Sequence, residues 1–596
     1  MNTATKDEMQ MNKDTNDCFV HVLSRLKESS SDAVESSDKT NDFTQYMHVD
    51  RPVQDEFDKI IRKAAETDKA ELVLLCGSVG DGKSHMLSYY NSNHSELMSK
   101  FFIHNDSTAS LFKDKPAIYT LRQILEDFSD GKIGMSQKKA IIAINLGTLN
   151  NFLDEYGDNE FTLLKKYISQ TGVLENEIPQ CPEEEDGFFH SISFSDYHLY
   201  DLTEHGPKSQ YIDSLITKII DDAEKNVIYS EYKRCCEKCA SSKICPVKIN
   251  YELFMNETVR GEIIQIIIET IVKNKLIIST RALLNLIYEM LVDERYIDIG
   301  SFEPRKKIGN LSELDYCKAL LPNSVFSREN SSIAINSFQS IDPINVRTDS
   351  IDKFVVYYTN NNRVISLFQG KLPEFSKALE KLSDFEFEQE SGQKLKVEVL
   401  KLLIRASRLF GKYEEFETID ADYQEYMRCL YYWNRGQKSR LKDVFALVKK
   451  GALSWNGDAD DNYMQILTGR RQTKYSVIQD VKIKRTFSGL EDKNVDILVK
   501  FNNAMILKYK NEKTEEQAEI DVDFALYELL VKMSNGYHPN MKDKRINVKF
   551  NNFVDKISRY GNKNECVYIK EKLLEGEKMY RLEYNDEDDE YTFEEI

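Results

Sequence analysis

Proline is scarce in this chain of 596 residues, with 11, and glycine is modest, with 24. That excludes long Pro/Gly-rich linkers and low-complexity tracts. No apolar run approaches the roughly 20 residues that cross a bilayer, so no membrane partner is expected. Met1–Asp17 is polar and carries no apolar core of a secretory signal. The ten cysteines are not spaced as pairs, since four cluster at 235–245 and the rest scatter. Such usage fits reduced thiols and a metal better than a disulfide framework. The expected compartment is therefore cytoplasmic. Basic charge is also lacking, because the formal net charge is −19. Proteins that coat nucleic acid through their general field are normally basic. DNA contact is thus expected only through a partner subunit or a local patch. No Ser/His/Asp or Cys/His arrangement marks a nucleophile, and no internal repeat is visible.

What is present is enough apolar residue, 41% of the chain with 11% aromatic, to build three or four domains. Residues 1–50 read as a flexible arm with one short helix, on which Phe19, Val20, Leu23 and Leu26 share a face. A helix starts at Pro52. The runs ELVLLC (71–76), KFFIH (100–104) and KAIIAIN (139–145) read as strands, with helices between them. That alternation predicts an α/β fold with a parallel sheet, which Phe188–Phe194 extends. Helical stretches from about Glu257 to Leu291 form a lid, closing a domain over 51–300 with a cysteine-rich insertion near 181–250. Residues 301–460 read as mainly helical, and 461–596 as an α+β domain. In that domain the sequence suggests a strand at Arg545–Phe550 and a solvated acidic tail at Asn585–Ile596.

The segment Gly77-Ser78-Val79-Gly80-Asp81-Gly82-Lys83-Ser84 fits GxxxxGK[ST], with a strand before it and a helix after it. Glycines let successive backbone N–H groups curl inward around phosphate oxygens. The following helix adds its positive N-terminal end, next to His85. Lys83 is placed to reach the β- and γ-phosphates, and Ser84 to supply a hydroxyl to Mg²⁺. The motif predicts ATP and Mg²⁺ as ligands and a P-loop, AAA+-like domain. The acidic pair that usually ends a neighbouring strand is missing. Asn145, after the third strand, is the expected γ-phosphate sensor. Asp106 after the second strand and Asp196 after Phe194 are the acidic candidates. Arg281, opening the lid segment STRALLN, and Arg260 are candidates to reach the γ-phosphate.

Cys235, Cys236, Cys239 and Cys245 fall within eleven residues, and Cys236–Cys239 has CxxC spacing. One turn with that spacing presents two thiolates to one metal, so structural zinc is expected, with iron–sulfur left open. Cys181, His190 and His198 are alternative fourth ligands, because adjacent Cys235 and Cys236 strain the backbone as a pair. A basic stretch of Arg470, Arg471, Lys474, Lys482, Lys484 and Arg485 is the local patch that could touch a nucleic-acid backbone.

Several segments together resemble one known family. They are LCGSVGDGKSHML (75–87), HNDST (104–108), AIIAINLGTLNNF (140–152), CPVKINYELF (245–254), STRALLN (279–285) and RASRLFGKYEEF (405–416). They look like the DptF (DndF) component of bacterial phosphorothioation-dependent restriction systems. The resemblance implies an ATPase-like subunit acting with other restriction proteins, in antiviral defence, on DNA that lacks the sulfur-for-oxygen backbone modification. It transfers the nucleotide role to Gly77, Gly80, Gly82, Lys83 and Ser84. A homo-oligomer is compatible with it.

Overall fold

The computed structural model describes residues 18–35, 42–77, 81–105, 117–174, 187–223, 225–296, 304–327, 332–361, 364–382, 390–457, 462–467, 472–561, 563, 566–573, 576–585 and 589–596. The chain divides into two compact units. One comprises residues up to 201 with 207–419, and the other comprises 202–206 with 420–596.

The first unit is built on a four-stranded parallel sheet of β1 (Glu71–Cys76), β2 (Phe102–His104), β3 (Lys139–Ile144) and β4 (Phe189–Ser193), in the order β2-β3-β1-β4. All six residues of β1 are buried, which is why its sequence is a continuous apolar run rather than an alternating one. Leu72, Leu74 and Cys76 face the same core as Ala140, Ile142 and Ile144. Phe152, Phe161 and Leu164 cover that face. The opposite face carries Phe57 and Ile61 of α2, the helix Pro52–Glu66, which packs on β1 and β4. Proline at its first position suits an N-terminus whose N–H needs no partner.

Other helices position the site. α1 spans Phe19–Glu35, ahead of α2. Beyond the sheet's first strand come α3 (Lys83–Asn93), α4 (Leu146–Tyr156) and α5 (Gln210–Ile220). They are followed by α6 (Val227–Glu237), α7 (Pro246–Met255), α8 (Glu257–Asn274) and α9 (Thr280–Leu291). The four spaced residues of α1 are all at most 3% exposed. α1 packs against α6 and α9, so it is part of this unit's core and not only the helix of a flexible arm.

The helical middle belongs largely to the same unit. Its helix Glu390–Leu409 carries Arg405, which is fully buried yet satisfied. Arg405 Nε donates to Asp342 Oδ1 at 3.1 Å and Nη1 to Asn323 Oδ1 at 2.8 Å. The break between units falls at Ile419–Asp420, inside the region read from sequence as one helical domain. The physical reason is packing: the helices Ala421–Arg435 and Lys442–Ser454 lie against Phe524–Ser534 of the C-terminal unit. At Gly451 the last two meet so closely that a Cβ would strike Leu530.

The C-terminal unit holds antiparallel sheets. One pairs Met505–Asn511 with both Gln517–Val522 and Ile483–Thr486. Another runs from Glu590–Glu595 through Gly576–Asn585, Cys566–Leu573 and Tyr475–Asp480 to Tyr463–Gln465. The acidic end is thus a strand, exposed along its whole length. The strand expected at Arg545–Phe550 is helical instead, over Met541–Ile546 and Val548–Ser558. Asn540 caps the first of these helices. Phe550, Phe553, Val554 and Ile557 bury one face of the second at spacings that no strand can present. No described helix is long and apolar enough to cross a membrane.

Candidate functional site

The glycine loop leaves β1, the strand flanked by β3 and β4, and enters α3. Ser78, Val79 and Gly80 lie outside the described residues, as does Asp106. At the loop's start, Gly77 N–H donates to Ile144 O of β3 at 3.2 Å. A Cβ on Gly77 would lie 2.7 Å from Asp81 Oδ2 and 3.0 Å from Phe194 Cβ, so close approach demands glycine here. At the loop's end, Gly82 sits at φ +95° as the N-cap of α3, a left-handed geometry that side chains resist. Lys83 begins the helix and turns back over the loop, with Nζ 3.5 Å from the Cβ position of Gly77. Burial lowers its pKa while Asp81 pulls the other way. Ser84 is exposed on the first turn of α3.

Arg51, one residue before α2, ties this loop down. Its Nη1 donates to Asp81 O at 3.0 Å and its Nη2 to Tyr197 O at 3.2 Å. Its guanidinium lies 5.4 Å from the centre of the Tyr211 ring. Arg51, Tyr211 and Gly82 border a cleft lined also by His48, Gln54, His85 and Thr280. Apolar side chains of Met47, Val53 and Met86 complete it. Tyr211 and Thr280 share a hydrogen bond at 2.7 Å, which joins α5 to the first residue of α9. Arg281 follows Thr280 in α9 and is exposed, and it is not among the residues that line this cleft. Arg260 is engaged elsewhere, donating from Nε to Asp213 Oδ1 at 2.9 Å.

Two histidines meet in the cleft, His48 Nδ1 and His85 Nε2 being 3.0 Å apart. His48 Nε2 faces both a donor, Gln54 Nε2 at 3.0 Å, and an acceptor, Asp50 Oδ1 at 3.2 Å, so either tautomer of His48 finds a partner there. The His48 ring stacks on Tyr89 with centroids 3.7 Å apart. Burial, reinforced by His48, pushes the pKa of His85 down to about 4.

Asn145 follows β3 and stands beside the loop's start. Its Oδ1 accepts from Thr148 N at 2.7 Å and so caps α4, leaving the side-chain amide as a donor. Asp196, after β4, acts with Lys83 on the same buried thiol: burial raises Cys76 to about 12, Lys83 opposes that shift and Asp196 adds to it. Asp196 and Lys83 therefore share one neighbourhood at the end of β1.

The cysteine cluster forms a separate cavity. Cys235, Cys236, Cys239 and Cys245 line it, and Cys18 joins them from the residue before α1. None of the nine described cysteines is in a disulfide, and Cys181 lies outside the described residues. His190 is engaged otherwise, its Nε2 sitting 2.8 Å from Glu71 Oε2. Of the basic stretch, Arg470 and Arg471 lie outside the described residues, while Lys484 and Arg485 are exposed on the strand Ile483–Thr486.

Arg51, His48, Tyr211 and Cys18 are the residues that sequence reasoning passed over. Arg51 and His48 stand in the chain ahead of a helix with no motif around them. Tyr211 and Cys18 reach their sites only through tertiary packing. Comparison with known proteins finds no matching family model, no matching curated protein and no matching solved structure.

Proposed function

We propose that this chain binds ATP at Gly77–Ser84 and hydrolyses it as a subunit of a bacterial restriction complex directed at DNA without phosphorothioate modification. One observation carries the nucleotide reading. A glycine-bounded loop joins a buried parallel strand to a helix N-terminus, and Lys83 folds back across it. The N-terminal end of α3 and the Lys83 ammonium offer a triphosphate positive charge in one place. The adjoining cleft is lined by both apolar and polar side chains, which suits a nucleobase. The restriction role rests on the family resemblance of the segments quoted above.

Lys83→Ala is expected to abolish binding of a fluorescent ATP analogue and restriction of unmodified plasmid in cells. Retained binding would overturn the nucleotide reading. Abolished binding with full restriction would overturn only the role in the complex.

The cap formed by Asn145 favours a second reading, a nucleotide-gated scaffold with little turnover. Its acceptor oxygen is held by Thr148, and an amide cannot act as a base. Turnover by the purified chain, alone and with its partners, separates the two readings.

A further inference from the structure

The cysteine cavity lies outside the nucleotide site and gathers thiols from two separated stretches of chain. Cys236 lies in the last turn of α6. Cys239 follows in the loop, and Cys245 is the N-cap of α7. Cys18 arrives from more than two hundred residues away, held by its neighbour Phe19. The Phe19 ring packs edge-on against Tyr251 at 4.9 Å and Tyr232 at 5.6 Å. A thiol brought that far by an aromatic anchor into a cavity with four others is not explained by packing a small apolar side chain.

Cys235 has a different neighbour. It points toward Glu231 Oε2, 3.8 Å away on its own helix. That leaves Cys18, Cys236, Cys239 and Cys245 as a set of four. The cavity also holds two cations, Lys248 and Arg305. Four thiolates around a core of charge +2 carry −2 overall; these two side chains offset part of it, Lys248 being shared with Glu252 Oε1 at 3.5 Å. Cys245 stands at the N-terminus of α7, whose first backbone N–H groups have no partner within the helix. Backbone donors to sulfur and nearby charge are the means by which proteins tune thiolate-bound clusters.

Spacing decides between one ion and several. A single zinc with bonds of about 2.3 Å draws four sulfurs to about 3.8 Å from one another. The thiols line a cavity with room for a water molecule, which sulfurs drawn onto one zinc would not leave between them, and a polynuclear cluster needs such room.

We propose that Cys18, Cys236, Cys239 and Cys245 ligate a [4Fe–4S] cluster that fastens the segment before α1 to the α6–α7 turn. The site requires no nucleotide and stands apart from the function proposed above.

The test uses the full chain, purified without oxygen and incubated with ferrous iron, sulfide and a thiol reductant. About four iron atoms and four acid-labile sulfides per chain are expected, with a broad visible absorption that dithionite bleaches. Cys18→Ser and Cys236→Ser are expected to lose most of the iron and sulfide, and Cys235→Ser to keep it. Wild-type protein that takes up zinc in place of iron and sulfide overturns the cluster, and so does one that takes up neither. Wild-type iron and sulfide retained in Cys18→Ser overturns the ligand set. The wild-type count does not depend on whether any variant folds.

Discussion

Arg51 Nη1 donates to the backbone carbonyl of Asp81 across 3.0 Å, binding the last turn of the glycine loop to the residue that precedes α2. Its other arm holds Tyr197 O, so one planar fork spans two backbone segments. Lysine cannot do this with a single point charge. Arg51→Ala is expected to weaken ATP binding by about ten- to a hundredfold, the range for losing hydrogen bonds to a charged group. Arg51→Lys should recover only part of that loss. Titration calorimetry with ATP measures both.

Gly77→Ala tests the close approach at the loop's start. The added methyl meets Asp81 Oδ2 and Phe194 Cβ, and only the first can swing away. The loop must shift, and nucleotide affinity is expected to fall at least about tenfold. The same nucleotide titration reads the effect, with circular dichroism showing that the unit remains folded.

Acid should loosen the cleft through His85. Its pKa is pushed down to about 4 in the folded chain, against about 6.5 unfolded. Between those values the unfolded chain holds a proton that the folded chain does not. This contribution is present in full above pH 6.5 and is lost as pH falls toward 4. His48, lowered by burial though Asp50 pulls it up, adds in the same direction. Urea unfolding at pH 7.5 and 5.5 should show a drop of about 1 kcal/mol from His85. His85→Gln should remove that part of the difference.

Asn145 has two separable jobs, and substitution distinguishes them. Asn145→Ala removes the α4 cap and should cost about 1 kcal/mol of stability. Asn145→Asp keeps an acceptor for Thr148 N but loses the amide donor. If Asn145 senses the γ-phosphate, the Asp variant keeps the wild-type melting temperature and loses turnover about tenfold or more. Unchanged turnover would reduce Asn145 to a cap.

The parallel sheet was legible because burial on both faces writes itself as uninterrupted apolar runs, seen in ELVLLC and KAIIAI. The two ends of the glycine segment were legible because the close approach at Gly77 and the left-handed backbone at Gly82 both demand glycine. Arg545–Phe550 misled because a short stretch of mixed residues has no clear period, while the helical spacing appears only when Phe553, Val554 and Ile557 are included. Arg51 and Cys18 could not be read at all. Their partners, Asp81 and the 236–245 thiols, are joined to them only by folding.

Buried charge in the helical middle provides a stability test independent of nucleotide. Asp342→Ala leaves Arg405 charged, fully buried and without its carboxylate. Loss of one partner from such a pair typically costs about 3–5 kcal/mol. Thermal unfolding should show a matching fall in the first unit's midpoint.

The placement of α1 has a consequence for how the chain is made. Phe19, Val20, Leu23 and Leu26 leave the ribosome early, but the surfaces that cover them, Tyr232, Tyr251 and α9, are encoded more than two hundred residues later. At about 5–20 residues per second, that apolar face stays uncovered for roughly ten to fifty seconds of synthesis. The parallel sheet and its glycine loop have the time to assemble first. α1 then docks as a late closing step, and only a chain translated through α9 can complete it.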